Sequence, residues 1–103
     1  MNHQPYLNLI GLAFKAGKCV VGEENILNSI RSNNVKLLLI ANDCGENTAK
    51  RLTDKCKTFA IPYMEADSRE MLGRAIGKPE RVAIAITDKG FAKGIKDKLS
   101  FHK

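Results

Sequence analysis

The sequence predicts an α/β protein, a three-layer α-β-α sandwich on a four-stranded, mostly parallel sheet. Three observations predict it. Helix-spaced apolar residues alternate with short apolar runs along the whole chain. Two of those runs, Leu37 to Ile40 and Val82 to Ile86, are unbroken, as in strands covered on both faces. Turn-forming residues separate the segments closely, with no linker, repeat or low-complexity stretch, so the 103 residues read as one domain.

Each element has a local reason. Tyr6, Leu7, Ile10, Ala13 and Phe14 keep a helical period, and Gly17 suits the left-handed position after a helix end. Cys19-Val20-Val21 is a short strand that Gly22 breaks. Glu23, Glu24 and Asn25 then open a helix, with carboxylates in the first turn where the helix dipole favours them. Ile26, Leu27 and Ile30 are its apolar stripe, and Ser32-Asn33-Asn34 ends it. A strand over Val35 to Ala41 follows, then a turn at Asn42-Asp43-Cys44-Gly45. Asn47 or Thr48 is the expected cap of the next helix, whose inner face is Ala49, Leu52, Cys56 and Phe59.

Ala60 to Ala66 reads as a strand, and Pro62 near its start marks either a sheet edge or a strand beginning. Ser68 caps a helix running to Ile76, which Gly77-Lys78-Pro79 stops. In Val82 to Ile86, small Ala residues alternate with branched ones, which lets a helix pack close on one face. Thr87-Asp88 caps a last helix with Phe91, Ile95 and Leu99 inward.

Composition narrows the function. With 44% hydrophobic residues the chain builds a core without disulfides or metal. The net charge of +6, from 17 Lys and Arg against 11 Asp and Glu, points to a polyanionic partner. Residues 1–50 carry 5 basic and 4 acidic groups, whereas residues 51–103 carry 12 and 7. Two clusters concentrate the excess: Lys50, Arg51, Lys55 and Lys57, and then Lys89, Lys93, Lys96, Lys98 and Lys103. Cys19, Cys44 and Cys56 have neither zinc nor redox spacing and read as reduced, semi-buried thiols of a cytoplasmic protein. No secretory leader or bilayer-length apolar run is visible.

Catalytic patterns are missing. His3 and His102 fall at the chain ends, and no Gly-x-Ser-x-Gly elbow exists. Gly11 to Lys18 superficially resembles a phosphate loop. Its spacing is one residue too long, Cys19 replaces Ser or Thr, and a helix precedes it. No nucleophile has both a base and an orienting partner, so the chain reads as no enzyme. Glu23, Glu24, Glu65 and Asp67 can gather near one sheet edge, with a solvated surface as the plainer alternative.

A binding edge remains. Two markers define it: Ala16 to Asn25, with Lys15, Lys18 and Gly22 at a strand-to-helix junction, and Leu72-Gly73-Arg74-Ala75-Ile76-Gly77. Backbone N–H groups at a helix start bind phosphate, and glycine lets a backbone approach closely. Glu23 and Glu24 repel phosphate there but accept hydrogen bonds from base amino groups. Taken alone, Gly22 reads more readily as a simple turn and the two glutamates as simple dipole complements.

These residues resemble the kink-turn-binding ribosomal proteins of the L7Ae and L30e superfamily, and within it the small bacterial YlxQ-like members. The similarity runs from Leu9-Ile10-Gly11-Leu12-Ala13 through Ala16-Gly17-Lys18, Val21 to Glu24, Leu38 to Asp43 and Ile61-Pro62-Tyr63 to the Leu72–Gly77 motif. It implies an α-β-α sandwich with a mixed sheet and a kink-turn RNA on one edge. By position, Gly22, Glu24, Asn25 and Asn28 then belong to a helix start inserted at tandem sheared G·A pairs, with Lys18 near phosphate. Ala66, Asp67, Ser68 and Arg69 belong to a loop that covers a flipped-out nucleotide.

The chain departs from the pattern. Tight binders commonly carry Asn then Glu after the Gly-x pair and a Lys three residues later, where this chain has Glu24, Asn25 and Asn28. Asp67 adds a negative group to the covering loop. The expectation is a non-enzymatic RNA-binding protein of a bacterial cytoplasm, ribosome-associated, monomeric and without cofactor. Its partner is structured RNA, ribosomal or other non-coding, bound weakly, with no membrane and no small-molecule substrate. Lys15, Lys18, Arg69 and Arg74 supply the attraction. The rival expectation is a protein-interaction module that keeps the fold and has lost kink-turn recognition.

Overall fold

Among the described residues five helices and four short strands alternate, and the direction of the strands decides what the molecule presents at each end. In this computed structural model, residues 5–101 are described; His3, His102 and Lys103 lie outside them. The elements are α1 (Pro5–Lys15), β1 (Cys19–Val21), α2 (Glu23–Arg31), β2 (Leu37–Ile40) and α3 (Glu46–Thr58), then β3 (Tyr63–Glu65), α4 (Arg69–Ala75), β4 (Ala83–Ile86) and α5 (Lys89–Phe101). The strand order is β1-β4-β2-β3. Pro62 therefore introduces an edge strand, as expected of a residue that cannot donate to a ladder.

The sheet is mixed, but it is not mostly parallel. Only β2 and β3 pair in parallel; β4 runs antiparallel to both β1 and β2. Three strands do point one way, as helix-strand alternation leads one to expect. The exception is β4, and its reversal has a local cause. The chain leaves β3, climbs the short helix α4, and turns at Gly77, whose φ of 71° is left-handed. It then descends beside the same helix: the Lys78 N–H donates to the Gly73 carbonyl at 2.9 Å and the Arg81 N–H to the Arg69 carbonyl at 3.0 Å. The chain thus enters β4 at the end of the sheet where it left β3, so β4 must run backwards.

Alternation along the two central strands sorts the core into two layers. Leu37, Leu39, Ile84 and Ile86 pack with α1, α4 and α5, burying Tyr6, Ile10, Leu72 and Ile95. Leu38, Ile40, Ala83 and Ala85 pack with α2 and α3, burying Ile26, Leu27, Ile30, Leu52 and Cys56. The alanines of β4 all face the second layer, so α2 and α3 approach the sheet there, as the small-large alternation predicts.

Helix ends follow their chemistry, with one exception. The Ser68 Oγ accepts the Met71 N–H at 3.2 Å and the Asp88 Oδ2 accepts the Phe91 N–H at 2.9 Å, so both expected caps form. Neither Asn47 nor Thr48 caps α3. The helix begins earlier, at Glu46, with Gly45 before it and no side-chain cap, which leaves Asn47 and Thr48 inside the first turn. The strand expected from Ala60 also starts later, because Ala60 (φ 56°) still closes the end of α3 through its N–H to the Lys57 carbonyl.

Burial pushes the Cys56 thiol up to about 11 and the Cys19 thiol to about 12, from 9.0. Burial, then the charge of Asp67, pushes the Tyr6 phenol from 10.0 to about 12. All three folded values lie above the unfolded ones. Their contribution is intact below pH 9 and is lost as the pH rises through the folded values, because the unfolded chain ionises first. Urea midpoints are expected to fall steadily from about pH 9 towards pH 12; a constant or rising midpoint would contradict this burial.

Candidate nucleic-acid interface

Because β1, β2 and β3 run the same way, they finish at one end of the sheet. Each releases the chain there into a turn and a helix start: Gly22 before α2, Asn42 to Gly45 before α3, and Ala66 to Ser68 before α4. The segment that leads into β4 ends at the same place. This rim therefore brings together two of the stretches singled out in sequence, Gly22 to Asn28 and Ala66 to Arg69. They sit at its two sides, over the outermost strands, three inter-strand spacings or roughly 14 Å apart. The Asn42–Gly45 turn and Arg81 fill the middle.

At the α2 side, Gly22 adopts φ 92° and ψ 128°, a conformation that a side chain would strain. The Asn25 Nδ2 donates to the Val21 carbonyl at 3.1 Å and closes the turn. That leaves its amide oxygen for a ligand. Asn28 accepts from the Arg31 Nη1 at 2.9 Å. Gly22, Glu24, Asn25 and Asn28 are exposed, and Glu23 is half-buried.

At the α4 side the loop is held at several points. The Ala66 N–H donates to the Ile40 carbonyl at 2.8 Å and the Asn42 N–H to the Asp67 carbonyl at 3.0 Å. The Asp67 N–H donates to the Tyr6 hydroxyl at 3.0 Å, which fastens the loop to α1. Asp67 turns its Oδ1 back to accept the Ser68 N–H at 2.8 Å. The Arg69 N–H donates to the Asp43 Oδ1 at 2.9 Å, and its guanidinium reaches the Asp43 carbonyl and carboxylate. The loop is thus pre-shaped, which lowers the ordering cost of binding.

Charge on the rim is unlike the chain average. Glu23, Glu24, Asp43, Glu46, Asp67 and Glu80 outnumber Arg51, Arg69 and Arg81 there. Much of this charge is answered. One guanidinium, Arg51 on α3, pairs with both Glu23 and Glu24, and Arg69 pairs with Asp43. A recess of about 290 Å³, lined in part by Gly22, Glu23, Ile26, Leu52 and Arg81, lies between the α2 start and the strand that leads to β4.

Three of the expected site residues lie elsewhere. Lys18 precedes β1, so it sits at the opposite end of the strands, where its carbonyl accepts the Thr87 N–H at 2.9 Å. Lys15 ends α1 at that same far end. Arg74 pairs with Glu70 at 3.0 Å and shares a groove with Lys15 between α1 and α4. The Leu72–Gly77 motif is likewise not a face of the rim. A Cβ on Gly73 would stand 2.0 Å from the Pro79 carbonyl oxygen, and one on Gly11 would stand 2.8 Å from that of Ala75. Lys78 lies over the Phe14 ring at 5.9 Å. The motif builds the close-packed strut between α1, α4 and the descending chain, and it serves the rim by aiming β4.

Asn42, Asp43, Arg51 and Arg81 were not marked in sequence as site residues. Asn42 and Asp43 carried a signal, since the turn after a strand parallel to β1 must share its end. Arg51 and Arg81 carried none, because nothing local says which helix or strand they will face.

Among the described residues no His, Cys, Asp and Glu cluster is arranged to hold a metal ion, and no helix is long and apolar enough to cross a membrane. The Cys44 thiol lies near the rim, and burial raises its pKa, which favours the neutral thiol.

Comparison with known proteins identifies the family and the fold. The family model described as "Ribosomal protein L7Ae/L30e/S12e/Gadd45 family" matches residues 6–96. The RNA-binding protein YlxQ of Bacillus subtilis is 46% identical over 92 residues, spanning 89% of this chain and 92% of that one. A solved structure of a Bacillus halodurans protein of unknown function superposes with a TM-score of 0.92 at 38% identity, covering 95% of this chain and 99% of that chain. A 15.5 kD RNA-binding protein of Giardia lamblia shares the fold, with a TM-score of 0.77 at 17% identity over 98% of this chain and 90% of that one.

Proposed function

The chain belongs to the ribosomal protein L7Ae/L30e/S12e/Gadd45 family, and from that premise we propose that it is a non-enzymatic RNA-binding protein that grips kink-turn-like RNA along the rim. The observation that carries this reading is the shared strand direction, which gives the α2 start and the Ala66–Arg69 loop a common edge. A plain RNA duplex has a major groove too deep and narrow for side chains to read. A sharply bent RNA opens that groove and splays out a nucleotide.

In this mechanism Gly22 lets the RNA backbone come close to the start of α2. Glu24, Asn25 and Asn28 face base edges in the opened groove, where carboxylates accept from base amino groups. Glu23, held by Arg51, fixes the helix start. Asp67, Ser68 and Arg69 cover the unstacked nucleotide from the other side, above Ala66, which is buried in the core. Lys15, Lys18 and Arg74 act at longer range, as contributors to attraction rather than as reading groups. The protein works as a single domain and a monomer in a bacterial cytoplasm, on ribosomal or other structured RNA, with ribosome association following from that partner.

The surplus of carboxylates on the rim favours a second reading, a protein-interaction module. Retention of a labelled kink-turn RNA separates the two, measured at several salt concentrations beside a plain duplex and a version without the G·A pairs. The expected result is a preference of about tenfold or more for the intact kink, the worth of one or two base-edge contacts. Equal affinity for all three RNAs refutes kink recognition. No retention even at low salt supports the protein module.

A further inference from the structure

The positive charge of this chain collects at the end of the sheet opposite the rim. Lys15 and Lys18 approach β1 there, Lys36 immediately precedes β2, and α5 starts there with Lys89. Lys36, Lys89, Lys93 and Lys96 line one open groove of about 380 Å³, floored by Leu37, Pro62 and Ala92. Lys89, Lys93 and Lys96 recur at helical spacing, so they form a row about 10 Å long on one face of α5. Among the described residues Asp97 is the one carboxylate that lines the groove, and it pairs with Lys93 at 3.1 Å. Nearby Asp88 accepts the Phe91 N–H as the cap of α5. Among the described residues Lys36, Lys89 and Lys96 have no ion pair.

We propose that this groove is a second RNA contact, a sequence-independent seat for a phosphate backbone. The inference rests on the RNA-binding reading and extends it to a different face. Its chemistry points to phosphate and away from bases. Lysine ammonium groups are compact point charges that accept any phosphate geometry, whereas no arginine fork lines the groove. Among the described residues no aromatic side chain lines it either, which points away from base stacking. The opposite signs of the two ends also orient approach. RNA is drawn first to the lysine end, which offsets the carboxylates at the rim. A bent RNA that passes its kink over the rim and runs its flanking backbone along α5 uses both ends at once.

Two variants of equal charge test the proposal. The first is Lys89→Ala/Lys93→Ala/Lys96→Ala. The second is Lys50→Ala/Lys57→Ala/Lys98→Ala, which removes three exposed lysines outside the groove. Each set breaks one exposed ion pair, with Asp97 or with Asp54. All six positions are exposed and helical, so both proteins should fold, which circular dichroism checks. Fluorescence anisotropy is read with a kink-turn RNA with long flanking arms, its partner without the G·A pairs, and a short uridine oligomer.

The groove variant is expected to lose affinity for all three RNAs by about tenfold or more at low salt. Its plot of log affinity against log salt should become shallower by about 2, from the loss of two to three phosphate contacts. The ratio between kinked RNA and its partner should be unchanged. An equal loss in the second variant would mean that only net charge matters and would overturn the proposal. So would unchanged slopes in the groove variant, which would assign the lysines to an acidic protein or to no ligand. A ratio of one in the wild-type protein would refute kink recognition and leave the groove result standing by itself.

Discussion

Gly73→Ala is expected to destabilise the protein by about 3 kcal/mol or more, a large share of a typical domain's stability. The added carbon would stand 2.0 Å from the Pro79 carbonyl oxygen and 2.9 Å from that of Lys78. Both obstacles are backbone, so neither can rotate away. Relief requires the descending strut to leave α4. That move breaks the Lys78 N–H bond to the Gly73 carbonyl and loosens the Arg81 N–H bond to Arg69, the two contacts that steer β4 into the sheet. Gly45→Ser is the matched contrast. Gly45 has nothing within 4 Å of its Cβ position and φ −59°, which serine adopts readily, and a serine there supplies the cap that α3 lacks. It should leave stability unchanged or raise it by up to about 1 kcal/mol. Urea midpoints decide the matter. A Gly73→Ala midpoint close to that of the parent would show that the strut is slack and that β4 is directed by something else.

Glu24→Asn combined with Asn28→Lys is expected to tighten binding to kink-turn RNA by about thirtyfold or more. The first change removes a carboxylate that repels phosphate from the start of α2 and keeps an amide oxygen there to accept from base amino groups. The second adds a cation one turn along the same exposed face. Each new or unopposed contact to RNA is worth about 1 to 3 kcal/mol. The cost to the fold is small. Arg51 loses an exposed contact to Glu24 at 3.5 Å but keeps Glu23. Arg31 loses the Asn28 side-chain oxygen, also on the surface. The decisive comparison is between kink-turn RNA and the same RNA without its G·A pairs. Gain confined to the kink supports insertion of α2 into the opened groove. Unchanged affinity, or equal gain on both RNAs, would show that positions 24 and 28 do not face the kink.

The one-dimensional pattern carried the fold class because burial on two faces leaves a mark at every position. Leu37 to Ile40 and Ala83 to Ile86 are buried throughout, and an unbroken apolar run says so directly. Ser68, Asp88, Gly17 and Pro62 act over four residues or fewer, so their roles as caps, helix stop and edge marker could be read in place. The L7Ae-type resemblance was legible for a related reason. Its glycines are forced by close backbone contact or positive φ, at Gly11, Gly22, Gly73 and Gly77, and few other residues can stand there. What those glycines do was not legible: the Leu72–Gly77 stretch looked like one side of a binding surface and is a strut.

The candidate site was visible only in pieces. Gly22 to Asn28 and Ala66 to Arg69 were marked, but the residues that complete and neutralise the rim come from far along the chain. Arg51 meets Glu23 across 28 positions, and Arg69 meets Asp43 across 26. Lys18 sits four residues from Gly22 in sequence, yet β1 carries the two to opposite ends of the sheet. Sequence by itself determined the elements, their buried faces and the family, because helix period, strand alternation and obligatory glycines are local consequences of sterics and burial. Only the tertiary structure decided the reversal of β4, the order of the strands and the separation of lysine end from carboxylate rim. Those depend on which distant backbones touch, and a charge has no direction until the chain around it has been laid down.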